Sequence, residues 1–350
     1  MIIGLIIVLA LILVLPFSFR RIEHNLEYFL LVMGLAATII SGTLSLHLAE
    51  HIFMNYLLYF ITAAVLVAGL IFRISVKKIK GFVGFVTGKM PLALFVFLLI
   101  VLLGFLSSFI TAIIAALILV EIIHVLPLKH TRKVILTVTA CFSIGLGAAL
   151  TPIGEPLSTI VVSALKADFF YLTRNIGAYV IPGVIVMGLL GAFIASRKET
   201  NDEPAEKEES FNLEEKNIAQ AESLKAVFMR AFKIFLFIIA LELLGSGFKP
   251  LINTYIIQLD SRILYWINMS SAVLDNATLA AAEVSPEMSL KQVQAILMGL
   301  LLSGGMLIPG NIPNIISAGK LNIKSREWAK IGLPIGISLL IIYFAVIFLF

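Results

Sequence analysis

The sequence predicts an all-α polytopic membrane protein, built as inverted repeats with two re-entrant hairpins and two discontinuous helices. Three observations predict it. Of 350 residues, 60% are hydrophobic and 13% charged, with mean hydropathy +1.06, whereas a soluble domain is about half apolar and a quarter charged. Several apolar runs approach the ~20 residues that a spanning helix needs. Other apolar regions are interrupted twice over, in the same order, by Ser-rich and then Gly/Pro-rich stretches.

Plain spans are expected at 1–19, 26–47, 52–72, 172–195, 226–247 and 329–350. The first run precedes Arg20-Arg21 and has no charged segment before it, so it reads as a span rather than a cleaved signal. Region 91–126, bounded by Pro91 and Pro127, is too long for one span and has Ser107-Ser108-Phe109-Ile110-Thr111 near its middle. Arms of about 16 residues reach about 24 Å, short of the roughly 30 Å core. A re-entrant hairpin with its tip at Ser107–Thr111 fits this; two tight full spans are the alternative.

Region 131–166 carries Thr151-Pro152-Ile153-Gly154-Glu155-Pro156. Two prolines remove backbone donors and the glycine relaxes the chain between them. A helix from Val134 is therefore expected to break here and restart near Leu157. Region 250–320 repeats the order, with Ser270 to Asn276, a polar turn near Ser285–Ser289, and Gly304 to Asn314, which includes Pro309 and Gly310. Ser107 maps onto Ser271 at an offset of 164, and Gly154 onto Gly310 at 156.

Paired interruptions in two halves point to a transporter site between repeats. The expected division is 1–25, a first helix and inner turn; 26–170, repeat 1; 171–325, an inverted repeat 2 with an acidic cytoplasmic linker at 197–224; and 326–350, a last helix. With both termini outside, all Lys and Arg fall inside except Lys166, Arg174, Lys249, Arg262 and Lys291, as the positive-inside rule demands. The net charge of +5 thus records orientation, not nucleic-acid binding. The single cysteine excludes disulfides and cysteine-built metal sites.

A carboxylate at the bilayer centre costs about 2.5–3.5 kcal/mol. Glu155 and Asp275 both fall at expected backbone breaks, where freed carbonyls beside a carboxylate suit a hard cation such as Na⁺. Ser107, Thr111, Thr151, Ser158, Ser271 and Thr278 can add hydroxyls, and Asn276, Asn311 and Asn314 amides. Pro152, Gly154, Pro156, Pro309 and Gly310 shape the breaks. Each has a plainer reading: hydroxyls bond their own backbone in membrane helices, Gly and Pro shape packing, and Asp275-Asn276 caps a helix beginning at Ala277. Glu242 reads as a proton relay or an interfacial residue. Glu121 and His124 read as snorkelling or pairing. The H-x-x-E-H order of His47, Glu50 and His51 straddles an outer turn without a third ligand. Asp260 and Arg262 read as a surface polar pair.

Thr151 to Glu155 together with Ser271 to Asn276 resembles NhaD-type sodium/proton antiporters of the ion transporter superfamily. That superfamily also holds arsenite-pump-like permeases, dicarboxylate transporters and a small prokaryotic group of predicted cation transporters. Gly310-Asn311-Ile312-Pro313-Asn314 resembles its G-x-x-P-N turn. The resemblance implies an elevator-like homodimer with Glu155 and Asp275-Asn276 in the site. Two departures stand out. Thr111-Ala112 replaces an Asp-Asn pair. Glu155 replaces Asp, and Ser158 stands where carboxylate transporters have Asn.

The function expected is secondary Na⁺/H⁺ antiport in a cell membrane, with Na⁺ as the transported ion and no cofactor. The alternative is a Na⁺-coupled carboxylate or oxyanion carrier. An enzyme is not expected, because His24, His47, His51, His124 and His130 all fall near predicted membrane edges, away from any deep serine.

Overall fold

The computed structural model describes residues 1–19, 25–55, 90–126, 128–197, 224–272 and 276–349, with a few isolated positions between them. It is all-helical, with no strand among the described residues. Expectations that fall on Asp275, on about half of the span at 52–72 and on the linker lie outside the described residues.

Helix α1 (Ile2–Ser18) is followed by α2 (Leu26–Ser41) and α3 (Leu46–Met54). The span expected at 26–47 is shorter than its apolar run. Gly42 takes φ 73° and ends α2 in a left-handed cap, a conformation glycine adopts without cost. Ser45 then starts α3 by accepting from the Leu48 amide at 3.1 Å.

Region 91–126 forms α4 (Leu92–Ile110) and α5 (Ala112–Val125). The arms are unequal, not about 16 residues each, because the interruption falls at Thr111 alone. At 19 residues, α4 is about 28 Å long, while α5 is about 21 Å. Thr111 has φ 76° and ψ 149°. A β-branched residue there stores strain of about 1–3 kcal/mol. The expected broken helix is α6 (His130–Ala148) and α7 (Pro156–Ala164), the latter starting on its proline. Then come α8 (Tyr171–Ser196) and α9 (Leu224–Leu251) with a π-turn at Ile252–Ile256.

The second set repeats this layout. Asp260 accepts from the Arg262 amide at 2.8 Å and starts α10 (Ser261–Ile267), which tightens into a 3₁₀ segment at Asn268–Ala272. So Asp260 meets the backbone of Arg262. Helix α11 (Asn276–Glu283) starts one residue before Ala277. Ser289 and Gln292 form a capping box for α12 (Leu290–Gly304). A 3₁₀ turn at Ile308–Gly310 leads to α13 (Ile312–Lys320) and α14 (Ser325–Phe348).

Among the described residues, four helices are long and apolar enough to cross a membrane: α4, α6, α8 and α14. In lipid, association rests on close packing and inter-helix hydrogen bonds rather than on the hydrophobic effect. Helices α4, α6 and α8 pack on one another. Gly147 lies so near the Gly104 carbonyl that a Cβ would stand 1.8 Å from it. Tyr343 on α14 donates to the Tyr179 carbonyl at 2.7 Å, and Tyr265 on α10 to that of Leu340 at 2.8 Å. The second arm of each pair crosses over: α5 packs on α13, and α11 on α7. Helix α6, buried almost throughout from Val134 to Ala148, touches α12, α13 and α14 and joins the two sets.

Helices α2 and α9 pack side by side in the same direction. Glu27 pairs with Lys233, Gly34 meets Ala240 and Leu243, and Gly247 meets Ala37 and Thr38. Contact numbers rise together along both helices, which only a parallel pair allows.

Candidate ion-binding site

The first break gathers residues from α4, α5, α6 and α7. After Ala148 the chain makes two turns and reaches Glu155 in extended backbone, with φ −155° and ψ 162°. Its carbonyls are taken up by hydroxyls and amides. Thr173 donates to Leu150 at 2.6 Å, Thr159 to Pro152 at 2.6 Å, and the Ala112 amide to Gly154 at 2.7 Å. Ser158 reaches the Ala148 carbonyl at 3.4 Å. Thr151 donates to the Ser108 carbonyl, and Ser108 to that of Gly147 at 2.6 Å. Ser107 donates to Gly104 and Ile144 at 2.6 and 3.0 Å.

Ser107, Ser108 and Thr151 therefore tie the α4–α5 junction to the broken helix, each bond worth about 0.6–1.7 kcal/mol. Their hydrogens are committed, but a hydroxyl oxygen keeps lone pairs that a cation can use. Thr111 differs. Its Oγ1 is buried and has no hydrogen-bond partner among the described residues. Glu155 is 5% exposed and takes the cap position at the start of α7, where the unpaired amides of a helix's first turn carry partial positive charge.

The second break has the same plan. Asn311 has φ −153° and ψ 147° and precedes α13. Ser271 donates to the Leu300 carbonyl at 3.3 Å. Asn314 donates to the Gly304 and Leu307 carbonyls at 2.8 and 2.9 Å, and its Oδ1 is buried without a partner among the described residues. Asn276 Nδ2 is likewise buried without a partner among the described residues. A Cβ on Gly304 would lie 3.5 Å from Ser271 Oγ and 3.8 Å from Asn276 Nδ2. Ser271, Asn276, Gly304, Gly310 and Asn314 thus converge. Pro309 lies in the 3₁₀ turn, and Asn311 faces α6, with Nδ2 2.7 Å from where a Gly145 Cβ would stand.

The two plans keep one register. Helices α7 and α13 have nine residues each and start 156 residues apart, and α5 and α11 start 164 apart. Ser107 bonds Ile144 as Ser271 bonds Leu300, and Ser158 bonds Ala148 as Asn314 bonds Gly304. The candidates thus fall into two clusters. Thr111, Ser107, Thr151, Pro152, Gly154, Glu155, Pro156 and Ser158 form one; Ser271, Asn276, Pro309, Gly310, Asn311 and Asn314 form the other. Asp275 and the side chain of Thr278 lie outside the described residues.

Other candidates find local roles. Glu242 accepts from Asn55 at 2.8 Å and from Ser163 at 3.4 Å, linking α9 to the end of α7. His51 meets Lys166 at 3.0 Å. No group of three His, Cys, Asp or Glu side chains that could hold a metal occurs among the described residues. Sequence reasoning passed over Glu283, whose Oε2 accepts from Asn268 Nδ2 at 2.8 Å. The signal was there, since Glu283 interrupts the apolar run Leu279-Ala280-Ala281-Ala282. The Glu27–Lys233 pair was also missed, because the two residues are far apart in the chain.

The fold and the paired breaks define an all-helical protein whose apolar helices suit a membrane. The chain belongs to the family described as "Protein of unknown function (DUF1646)", whose pattern matches residues 2–350. A search of curated proteins returns no match.

Proposed function

We propose that this chain is a secondary active transporter exchanging Na⁺ for H⁺ across a cell membrane. It consists of two inverted repeats, each with a re-entrant hairpin and a discontinuous helix. It acts as a homodimer, with both termini outside and the 197–224 linker in the cytoplasm. The observation that carries the reading is Glu155, an acid 5% exposed in a helix break whose counterpart keeps the same register and backbone shape. A carboxylate at that depth costs about 2.5–3.5 kcal/mol, a cost that cation binding offsets. One carboxylate that holds either Na⁺ or H⁺, and not both, is sufficient for exchange. Thr111 Oγ1 and Asn314 Oδ1, buried oxygens without partners among the described residues, suit a hard cation. The parallel α2–α9 pair supports the topology, which starts both helices inside.

The test is Na⁺-driven pH change in proteoliposomes. The Glu155→Ala, Asp275→Ala double variant is expected to fall to the protein-free background. Exchange at the unmodified rate overturns the mechanism. A second reading, Na⁺-coupled uptake of a carboxylate or oxyanion, is favoured by Asn276 Nδ2, a buried donor that an anion would satisfy. Uptake of labelled organic acids or oxyanions in the same vesicles, with no Na⁺-driven pH change, would select it.

A further inference from the structure

The second half carries a polar cluster that neither break uses. Asn268 and Ser303 are fully buried, and Glu283 is partly buried. Asn268 Nδ2 donates to the Leu264 carbonyl at 2.9 Å and to Glu283 Oε2 at 2.8 Å. The Asn268 carbonyl accepts from Ser303 Oγ at 2.8 Å. Both partners of the amide nitrogen are acceptors, so the amide orientation is fixed chemically. Its Oδ1 is buried with no partner among the described residues. An oxygen left over beside a carboxylate calls for a proton or a cation, not an anion.

The first half shows that the cluster is not needed for packing. At the same offsets stand Gly104, Leu119 and Gly147, where Gly147 rests on the Gly104 carbonyl and Leu119 is wholly buried. The equivalent junction of the first half thus has no acid and no amide at these positions, and is tied instead by Ser107 on the Gly104 carbonyl and Ser108 on that of Gly147. The Asn268–Glu283 bond also joins the 3₁₀ segment at Asn268–Ala272 to the far end of α11.

Of the charged groups on the elements packed around Glu283, Lys233, Glu242, Lys249 and Lys291 have partners of their own. Helices α1 and α7 carry no titratable side chain of their own, Glu155 standing just ahead of α7. On α9, Lys233 pairs with Glu27, Lys249 with Glu287 at 2.9 Å, and Glu242 with Asn55; Lys225 and Arg230 lie near its start. Lys291 on α12 bonds the Ile347 carbonyl, and α10 brings Arg262 and Tyr265. No ion pair to Glu283 occurs among the described residues.

We propose that Glu283, braced by Asn268, is a proton-binding carboxyl that takes a monovalent cation in exchange for its proton, at a site separate from the two helix breaks. Its use in transport rests on the exchanger reading above; its existence does not. The test treats the full chain in nanodiscs with a hydrophobic carbodiimide, which modifies protonated carboxyls in apolar surroundings. Samples run from about pH 5 to about pH 9, in Na⁺ or in choline, and modified peptides are mapped by mass spectrometry. Modification of Glu283 is expected to fall about tenfold per pH unit above its midpoint. Na⁺, but not choline, should move that midpoint to lower pH. Asn268→Leu should shift the midpoint while thermal unfolding shows the chain folded, and Glu283→Gln should remove the mark from that peptide. Modification indifferent to pH and Na⁺, or absent where Glu155 is marked, overturns the site. If Glu283 follows pH and Na⁺ while vesicles show no exchange, the site stands and the exchanger reading falls. If exchange is intact and Glu283 is inert, the site alone falls.

Discussion

Glu155 and Asn311 occupy one backbone position in two breaks. Both are extended, at φ −155° and −153°, and each precedes a nine-residue helix. One position is an acid and the other an amide, so the negative charge is confined to the first break at this level. Glu155→Gln keeps the shape and removes the charge. Under the proposed exchange it is expected to weaken Na⁺ binding by about tenfold or more, read by calorimetric Na⁺ titration. Asn311→Asp adds the missing charge and should strengthen Na⁺ binding in the same titration.

The breaks are held shut by backbone contact at two glycines. A Cβ on Gly154 would stand 2.0 Å from the Ala148 carbonyl, and one on Gly310 would stand 2.6 Å from the Gly304 and Ser271 carbonyls. Gly154→Ala and Gly310→Ala should each destabilise by about 1–3 kcal/mol, with Gly154→Ala the worse. Gly319, in α13 with nothing within 4 Å, is the control, and Gly319→Ala should unfold at or slightly above the unmodified temperature.

Glu27 and Lys233 tie α2 to α9 with side-chain exposures of 12% and 32%. Glu27→Gln leaves the ammonium of Lys233 without its anionic partner. Because Lys233 is a third exposed, the loss should be about 1–2 kcal/mol rather than that of a fully buried pair. The double variant Glu27→Gln, Lys233→Met should recover part of it in thermal unfolding.

Asp168, between α7 and α8, accepts from the Phe170 amide at 3.0 Å and pairs with Arg174. The Arg174 hydrogen bond holds its carboxyl below the ordinary 3.8. A depressed carboxylate contributes stability above its unfolded value and loses it as pH falls through the folded value. The turn should therefore keep its order down to pH 3.8 and loosen only below it. Hydrogen exchange at the Phe170 amide reads this, and Asp168→Asn should show fast exchange at every pH.

Cys141, the single cysteine, is buried with Sγ 3.4 Å from Ser317 Oγ on α13. Maleimide labelling should be slow in the folded chain and fast after unfolding, so its rate reports separation of α13 from α6.

Much of this was legible in the residues. Pro152 and Pro156 each remove a backbone donor and Gly154 relaxes the chain between them, so the interruption between α6 and α7 was expected from covalent structure. Thr111 was harder to read, because nothing local forces φ 76° on a β-branched residue. The Ala112 amide bonded to the Gly154 carbonyl at 2.7 Å is one long-range partner holding it there. The serines expected to offer oxygens to a cation also act as ties between helices. Ser107 and Ser271 give their hydrogens to helix carbonyls far along the chain, because buried backbone acceptors in an apolar setting must be satisfied.

The apolar helices, the two breaks and their offsets can be read from the residues alone, because hydropathy and the backbone limits of Pro and Gly are local properties. Only the tertiary structure decided that α5 crosses to α13 and α11 to α7, that α2 runs parallel to α9, and that Asn268 reaches Glu283. Those choices depend on which distant surfaces fit closely enough for small residues to bring backbones together, and no local pattern encodes that fit.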